Sequence, residues 1–238
     1  MQQAIKKMFG YPLADEYARN MLANMSIINK VEGLKWGIFG DSLSQPNTDG
    51  LDKYYNIICN KRNMTYTSYA IGGSGWFKSN TSNNYGSGNI SSQIKSASNE
   101  FDIISIMAGV NERGFIGSKL GTIDDPVVDV PTTLCGAVKK AISEAQAKYP
   151  NSIIFVMTTI PGETFNALND KDLNSYCNKI KEICELYNVP CLDLFHSSNL
   201  KPWLTENKAK YYRDYIHLNS EGQKYISKII ENFLNNLI

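Results

Sequence analysis

Short apolar runs alternate with amphipathic segments along most of the chain. Five runs rich in apolar, β-branched or aromatic residues predict strands at residues 34–39, 64–70, 101–108, 152–159 and 189–194. Four longer segments repeat apolar side chains at helical spacing and predict helices at residues 51–61, 132–148, 172–187 and 220–237. Strands and helices that alternate in this order favour an α/β fold, a five-stranded parallel sheet with helices on both faces.

Three further segments define how the chain is organised. Residues 12–30 also show helical spacing, so we expect an N-terminal helical extension over residues 1–30 and one α/β domain over residues 31–238. Residues 78–92 are rich in Ser, Asn and Gly and predict a loop, whereas residues 114–131 form a connection long enough for a lid or a pocket wall. No repeat or change of composition divides the domain further.

The first three predicted strands end in polar loops that contain glycine. Ser42 follows the first strand, Gly72 and Gly73 follow the second, and Asn111 follows the third. Right-handed crossovers place these exits at one edge of a parallel sheet, the edge at which open α/β sheets bind ligands. The glycine loop lacks the Gly-Lys-Ser/Thr ending of a nucleotide-binding loop, but its backbone N–H groups can still approach a ligand closely.

Two histidines are candidates for the base that a reactive serine needs. Hydrolysis through a serine requires a base to take its proton and a carboxylate to orient that base. Asp214 stands three residues before His217, a spacing that in a tight loop lets the carboxylate bond Nδ1 and leaves Nε2 facing Ser42. His196 is the alternative base, but a surface or structural role fits it better.

Four blocks of the sequence resemble the SGNH (GDSL-type) hydrolases, in the same order and each at a predicted strand exit or loop. They are Gly40-Asp41-Ser42, Ala70-Ile71-Gly72-Gly73-Ser74, Gly109-Val110-Asn111-Glu112 and Asp214-Tyr215-Ile216-His217. The resemblance covers residues 34–236 and departs from the family pattern at two positions. Glu112 stands where the family has Asp, and Leu218 stands where it has Pro. Neither change removes a catalytic group, but the longer Glu112 side chain bears on how Asn111 is held.

The resemblance implies a three-layer, flavodoxin-like α/β/α fold and a serine esterase mechanism. Ser42 would be the nucleophile, His217 the general base and acid, and Asp214 the residue that orients the histidine. The N–H groups of Ser42 and Gly73 and the side-chain amide of Asn111 would form the oxyanion hole. Two alternatives stay open at this stage, because the adjacent glycine is an equally placed donor and Asn111 also suits a simple turn.

Residues near the predicted edge are candidates for substrate binding. Trp76, Arg113 and Trp203 are expected to contact substrate. Further aromatic candidates are Phe77, Tyr211 and Tyr212. For all of these aromatic residues, packing in the core is the competing interpretation.

The size of the acyl group is inferred from the loops rather than from any single motif. Open loops and the lack of an apolar cap favour a small acyl group, such as acetyl on a carbohydrate, and many relatives of this type act on acetylated sugars. A lysophospholipase or a thioesterase is the alternative within the family. A non-catalytic carbohydrate-binding module of a larger assembly is the alternative outside enzymology.

Composition limits the partners and the cellular setting. A formal net charge of +1 provides no basic footprint for nucleic acid or an anionic membrane. No secretory signal and no membrane-spanning segment is recognisable, and the five cysteines contain no CxxC pair. We therefore expect a cytoplasmic protein, or part of a larger assembly if the chain belongs to a longer one. The two histidines lack metal-type spacing, so neither a metal nor an organic cofactor is expected.

Overall fold

Five parallel strands form the central sheet of the described structure. The computed structural model describes residues 31–46, 50–79 and 81–238, so the extension predicted for residues 1–30 lies outside the described residues. The strands are β1 (Lys35–Gly40), β2 (Thr65–Ser68), β3 (Ile103–Met107), β4 (Ile153–Met157) and β5 (Cys191–Leu192). They pair in the order β2-β1-β3-β4-β5, and each pairing is parallel. The predicted sheet is confirmed.

Burial along the sheet follows the apolar content of the strands. All of β3 is buried, and β1 is buried from Trp36 onward, whereas the outer strands β2 and β5 are partly exposed. A parallel strand covered on both faces needs a nearly continuous apolar sequence, which β3 has. Its single polar residue, Ser105, accepts a hydrogen bond from the Trp36 indole N–H at 2.9 Å. The buried hydroxyl is therefore paired.

Helices cover both faces of the sheet. They are α1 (Tyr54–Arg62), α2 (Ile90–Ser96), α3 (Ile116–Lys119), α4 (Leu134–Lys148), α5 (Lys171–Leu186), α6 (Leu194–Ser197), α7 (Thr205–Tyr211) and α8 (Ser220–Leu237). Helix α1 packs against α8, while α2 packs against α4 and α4 against α5. Because β2 and β3 lie on opposite sides of β1, right-handed crossovers place α1 on one face and α2, α4 and α5 on the other. The three-layer α/β/α architecture is confirmed.

The three long helices begin where the sequence offers a capping side chain. Their N-cap oxygens, each of which accepts a backbone N–H of the first turn, belong to Thr133, Asp170 and Asn219. A cap of this kind contributes about 1 kcal/mol to helix stability. The Asn219 cap fixes the start of α8 directly after the loop that carries His217.

The structure differs from the sequence prediction mainly in its short elements. Strand β5 has two residues rather than the six predicted, and its neighbour Pro190 has no N–H with which to extend the ladder. Helix α2 begins at Ile90, inside the segment that we expected to be loop, because Asn89 caps it. Helices α3, α6 and α7 were not predicted, since elements of four to seven residues are too short to show a helical period.

The strand order creates a crevice at the carboxyl edge. The chain leaves β1 toward β2 on one side, whereas β3 lies on the other side of β1. At such a reversal the loops after the two central strands diverge and leave a gap between them. The loops that contain Ser42 and Asn111 border this gap.

Two further findings concern the cysteines and the helices. All five cysteines are free, four of them buried and Cys191 half-buried. Among the described residues, no helix combines the length and the apolar character needed to cross a membrane.

Candidate active site

The turn after β1 holds Ser42 at the carboxyl edge. The Ser44 N–H donates to the Asp41 carbonyl at 3.0 Å, which closes a tight turn around Ser42. A side chain at Gly40 would bring its Cβ to 2.6 Å from the Met107 carbonyl oxygen, so β1 and β3 need glycine here to approach each other. Ser42 itself is half-buried and its hydroxyl faces the crevice side, where it meets a histidine.

A histidine and an aspartate extend from this serine in a continuous hydrogen-bonded chain. The Nε2 atom of His217 lies 2.9 Å from Ser42 Oγ, and Nδ1 lies 2.8 Å from Asp214 Oδ2. The spacing that the sequence suggested is therefore realised in space. The loop is pinned at its base, because Tyr212 and Leu218 form an antiparallel bridge across it.

The Asp214 carboxylate is held in its charged form. Burial opposes its ionisation, but the backbone N–H groups of Ile216 and His217 donate to Oδ1 at 2.8 and 2.6 Å, and the imidazole bonds Oδ2. Together these contacts lower the pKa of Asp214 below its usual value of 3.8. A carboxylate on Nδ1 selects the tautomer whose Nε2 is free to accept the serine proton, which is the geometry that general-base catalysis requires.

Three N–H donors predicted for an oxyanion hole lie at the exits of β1, β2 and β3. Within the described residues, the backbone N–H groups of Ser42 and Gly73 have no hydrogen-bond acceptor. The Asn111 amide donates one N–H to the Ser74 carbonyl at 2.8 Å, which fixes its orientation and leaves its second N–H for a ligand. Gly73 has a φ of 76°, a left-handed conformation that favours glycine. The assignment of Gly73 rather than Gly72 as the donor stays a prediction.

A buried glutamine that sequence reasoning missed ties two of these exits together. Gln93 accepts from the Gly40 N–H at 2.9 Å, and the two N–H groups of its Nε2 are shared among the Gly40 carbonyl at 3.0 Å, Ser74 Oγ at 3.1 Å and the Gly88 carbonyl at 3.0 Å. It therefore fixes the turn before Ser42 relative to the glycine loop. The signal for its helix was present, since Asn89 is a good N-cap and Ile90 and Ile94 are four residues apart.

Two buried carboxyl groups adjoin predicted site residues. Neither Asp41 nor Glu112 has any exposed surface, and burial raises the pKa of each, from 3.8 and 4.5 respectively to about 7. One oxygen of Asp41 accepts from the Leu43 N–H at 2.9 Å, and one oxygen of Glu112 accepts from the Phe77 N–H at 2.8 Å. The second oxygen of each has no partner within the described residues.

The alternative base, His196, lies in a different network. Its Nδ1 lies 2.8 Å from Asp193 Oδ2 and its Nε2 lies 2.6 Å from Asn174 Oδ1. Both ring nitrogens are thus occupied by neighbouring side chains, and Lys181 forms an ion pair with the same aspartate at 2.7 Å. This arrangement fits the structural role expected for His196.

Of the three predicted substrate-binding residues, one is buried in the core and two are exposed. Trp76 has no exposed surface and its indole N–H donates to the Ala108 carbonyl at 3.0 Å, so it is a core residue and does not face substrate. Trp203 is exposed in the turn before α7, and its contact with substrate stays a prediction. Arg113 is exposed beside Asn111, with its guanidinium over an aromatic ring. Of the further aromatic candidates, Phe77 and Tyr212 are buried and Tyr211 is half-buried.

No metal centre was found in the described part of the chain. It contains no cluster of three or more His, Cys, Asp or Glu side chains arranged to hold an ion. Hydrolysis without a metal or an organic cofactor accordingly stays a prediction.

Comparison with known proteins identifies one family. The model of the GDSL-like lipase/acylhydrolase family matches residues 38–225, a range that includes Ser42, Asn111 and His217. No curated protein sequence matches the chain.

Several solved structures share the fold. A protein from Lactobacillus plantarum superposes with a TM-score of 0.72 at 21% identity, over 87% of this chain and 98% of that one. An acetyl xylan esterase does so with a TM-score of 0.60 at 21% identity, over 84% of this chain and 100% of that one. An active-site mutant of a family two carbohydrate esterase from Clostridium thermocellum gives 0.58 at 14% identity, over 86% and 64% respectively. At these identities the likeness establishes the architecture.

Proposed function

Because the chain belongs to the GDSL-like lipase/acylhydrolase family, we propose that it is a serine esterase that removes a small acyl group, acetyl, from a carbohydrate ester. The observation that carries this proposal is the hydrogen-bonded chain from Ser42 Oγ through His217 to Asp214. In this proposal Ser42, His217 and Asp214 form a catalytic triad.

The first half of the reaction transfers the acyl group to the serine. Ser42 Oγ attacks the ester carbonyl carbon while His217 Nε2 takes the hydroxyl proton. The carbonyl oxygen becomes an oxyanion, which the N–H groups of Ser42 and Gly73 and the amide of Asn111 stabilise. When the tetrahedral intermediate collapses, His217 returns the proton to the departing alcohol.

The second half releases the acid. A water molecule gives a proton to His217 Nε2 and attacks the acyl-serine, and the serine leaves with that proton. Asp214 stabilises the imidazolium that forms in each half-reaction without taking up the proton itself. Its lowered pKa supports this role, because a carboxylate that is charged at neutral pH stabilises a cation beside it.

The choice of substrate rests on similar structures and on the openness of the site. Two structures with the same fold are described as an acetyl xylan esterase and a carbohydrate esterase. Ser42 and His217 are half-buried rather than enclosed, which suits an ester on a bulky, polar alcohol. A small acyl group is consistent with a serine that lies at an open edge.

The proposal is tested by active-site labelling and an acyl-chain series. A fluorophosphonate probe should modify Ser42, as located by peptide mass mapping, and the enzyme should hydrolyse 4-nitrophenyl acetate faster than longer-chain esters and should release acetate from acetylated xylan. A preference for long chains would favour the lysophospholipase or thioesterase alternative. An unreactive Ser42 together with no hydrolysis would favour the carbohydrate-binding module.

The two histidines provide a matched pair of variants for the mechanism. His217→Ala should lower kcat by about 10³-fold or more, since the loss of a triad member has an effect of this size. His196→Ala should leave kcat within about threefold, because both of its ring nitrogens are engaged elsewhere. The opposite ranking would show that the pairing of Asp214 with His217 is not the catalytic one.

A further inference from the structure

An exposed arginine beside the site has no acidic partner in the described part of the chain. Arg113 follows Asn111 by two residues. Its guanidinium carbon lies 4.4 Å from the centre of the Phe165 ring and 5.8 Å from the centre of the Tyr215 ring. Within the described residues, its side chain forms no ion pair and donates no hydrogen bond. An arginine that is positioned by aromatic contacts while its charge stays unpaired is suited to bind a ligand.

The aromatic contacts leave the guanidinium donors available. Phe165 is buried and provides a fixed surface, whereas Tyr215 is half exposed at the edge of the cluster. A guanidinium that lies over a ring is held by its face, and its N–H groups project from its edges. The planar pair of N–H groups matches the two oxygens of a carboxylate, which it binds with two parallel hydrogen bonds.

The cluster spans the two loops that carry the proposed catalytic groups. Arg113 belongs to the loop of Asn111, and Tyr215 lies between Asp214 and His217. A group bound to Arg113 would therefore lie beside an ester held at the serine. This position relates the arginine to the substrate rather than to a remote surface.

The charges around the cluster favour an anion. Lys78, at the exit of β2, directs its ammonium group to the Gly73 carbonyl at 2.8 Å. The neighbouring carboxylate on the loop after β4, Glu163, is already paired with Lys208 at 2.6 Å. The Asp214 carboxylate beside Tyr215 is bonded by His217 and by two backbone N–H groups, so among these charges Arg113 is the one that a negatively charged ligand can meet.

We propose that Arg113 makes the enzyme select esters whose sugar carries a carboxylate, so that the preferred substrate class is an acetyl ester of a uronic acid. The inference rests on the proposed function and adds the chemical character of the alcohol. In the bound state the Arg113 guanidinium receives the carboxylate on its exposed edge, while the acetyl group lies at Ser42.

The test compares two substrates that differ only in this charge. Acetylated 4-nitrophenyl β-glucuronide and its acetylated glucuronamide have the same shape, and acetate release gives kcat/KM for each. The wild-type enzyme should prefer the acid by about tenfold or more, as expected for one charge-assisted bidentate contact. The preference should fall as salt is added, since the contact is exposed. Arg113→Gln should abolish the preference, and Arg113→Lys should retain part of it.

A second variant tests whether the loss of any positive charge would have the same effect. Lys35→Gln removes an exposed positive charge at the amino end of β1, the edge of the sheet opposite Ser42, so the preference should persist in that variant. No preference in the wild type, or a fall of the same factor for both substrates in Arg113→Gln, would overturn the inference, because the arginine would then only brace the loops. If acetate is released equally well from the glucuronamide and the glucuronide, this inference alone is refuted. If neither substrate releases acetate in a reaction that depends on Ser42, the proposed function is refuted as well.

Discussion

Glu112 provides a test of the buried charge beside the site. The side chain is fully buried, its Oε1 accepts from the Phe77 N–H at 2.8 Å, and its Oε2 has no partner within the described residues. Burial raises its pKa from 4.5 to about 7. We expect Glu112→Gln, which keeps the accepting oxygen and removes the charge, to change how the stability of the protein depends on pH.

The sign and size of the effect follow from the two pKa values. Between pH 4.5 and 7 the folded protein holds a proton on Glu112 that the unfolded chain has lost, so the free energy of unfolding falls as the pH rises through this range. Above pH 7 the carboxylate is charged in both states and the loss is complete. The difference between 4.5 and 7, about 2.5 units at about 1.36 kcal/mol each, corresponds to roughly 3 kcal/mol.

Urea unfolding at pH 4.5 and at pH 8, followed by tryptophan fluorescence, measures this difference. The buried Trp36 and Trp76 report the loss of the core. The free energy of unfolding of Glu112→Gln minus that of the wild type should be about 3 kcal/mol higher at pH 8 than at pH 4.5. Any cost of the new amide's unpaired N–H groups is the same at both pH values and cancels in this comparison. Glu100→Gln, at an exposed position, is the control. The reasoning is refuted if both variants change the pH dependence of the free energy of unfolding by the same amount.

Two other substitutions test the surroundings of the proposed oxyanion hole. Asn111→Ala should lower kcat on 4-nitrophenyl acetate by about 10²-fold with a smaller change in KM, as expected for the loss of an oxyanion donor; an unchanged kcat would remove Asn111 from the mechanism. Gly75→Ala should destabilise the protein by more than about 2 kcal/mol in urea unfolding, because its Cβ would lie 2.1 Å from Glu112 Oε1. Gly86→Ala, with nothing within 4 Å of its Cβ, should stay within about 0.5 kcal/mol, and equal losses would contradict the packing argument.

Much of the fold was predictable because its central elements have strong local signals. The β3 strand is apolar at nearly every position, and the pattern of α8 repeats over its whole length, so both were found close to their true limits. The limits of the strands at the edges of the sheet were harder to predict. In β5 only two residues pair, because Pro190 precedes them and Asp193, the N-cap of α6, follows them.

The candidate site was predictable where its geometry is local. Asp214 and His217 are three residues apart, and a tight loop suffices to bring their side chains together. The distance from His217 to Ser42 depended on the topology, which the alternation of strands and helices had already indicated. The burial of Trp76 was not predictable, because it results from contacts with distant segments. The same holds for Gln93, whose partners Gly40 and Ser74 lie 53 and 19 residues away.

The departure of Glu112 from the family's aspartate has a structural explanation. From its position after Asn111, the longer side chain reaches across to the Phe77 N–H in the segment after the glycine loop. Gly75 provides the space, since any Cβ there would collide with the carboxyl group. The same two segments are joined a second time by the bond from the Asn111 amide to the Ser74 carbonyl.

Buried polar contacts join the loops that carry the proposed oxyanion donors. Gln93 joins the exit of β1 to that of β2, and Glu112 joins the exit of β2 to that of β3. Each contact crosses between loops that the sheet alone would leave free to move apart. Donors that are fixed before substrate arrives need no reorganisation when the oxyanion forms, which is the source of their catalytic value. Within the described residues one oxygen of Glu112 has no partner, and burial raises the pKa of the carboxyl group to about 7, so this contact lowers the stability of the fold once Glu112 is charged, while it joins the loops of the proposed donors.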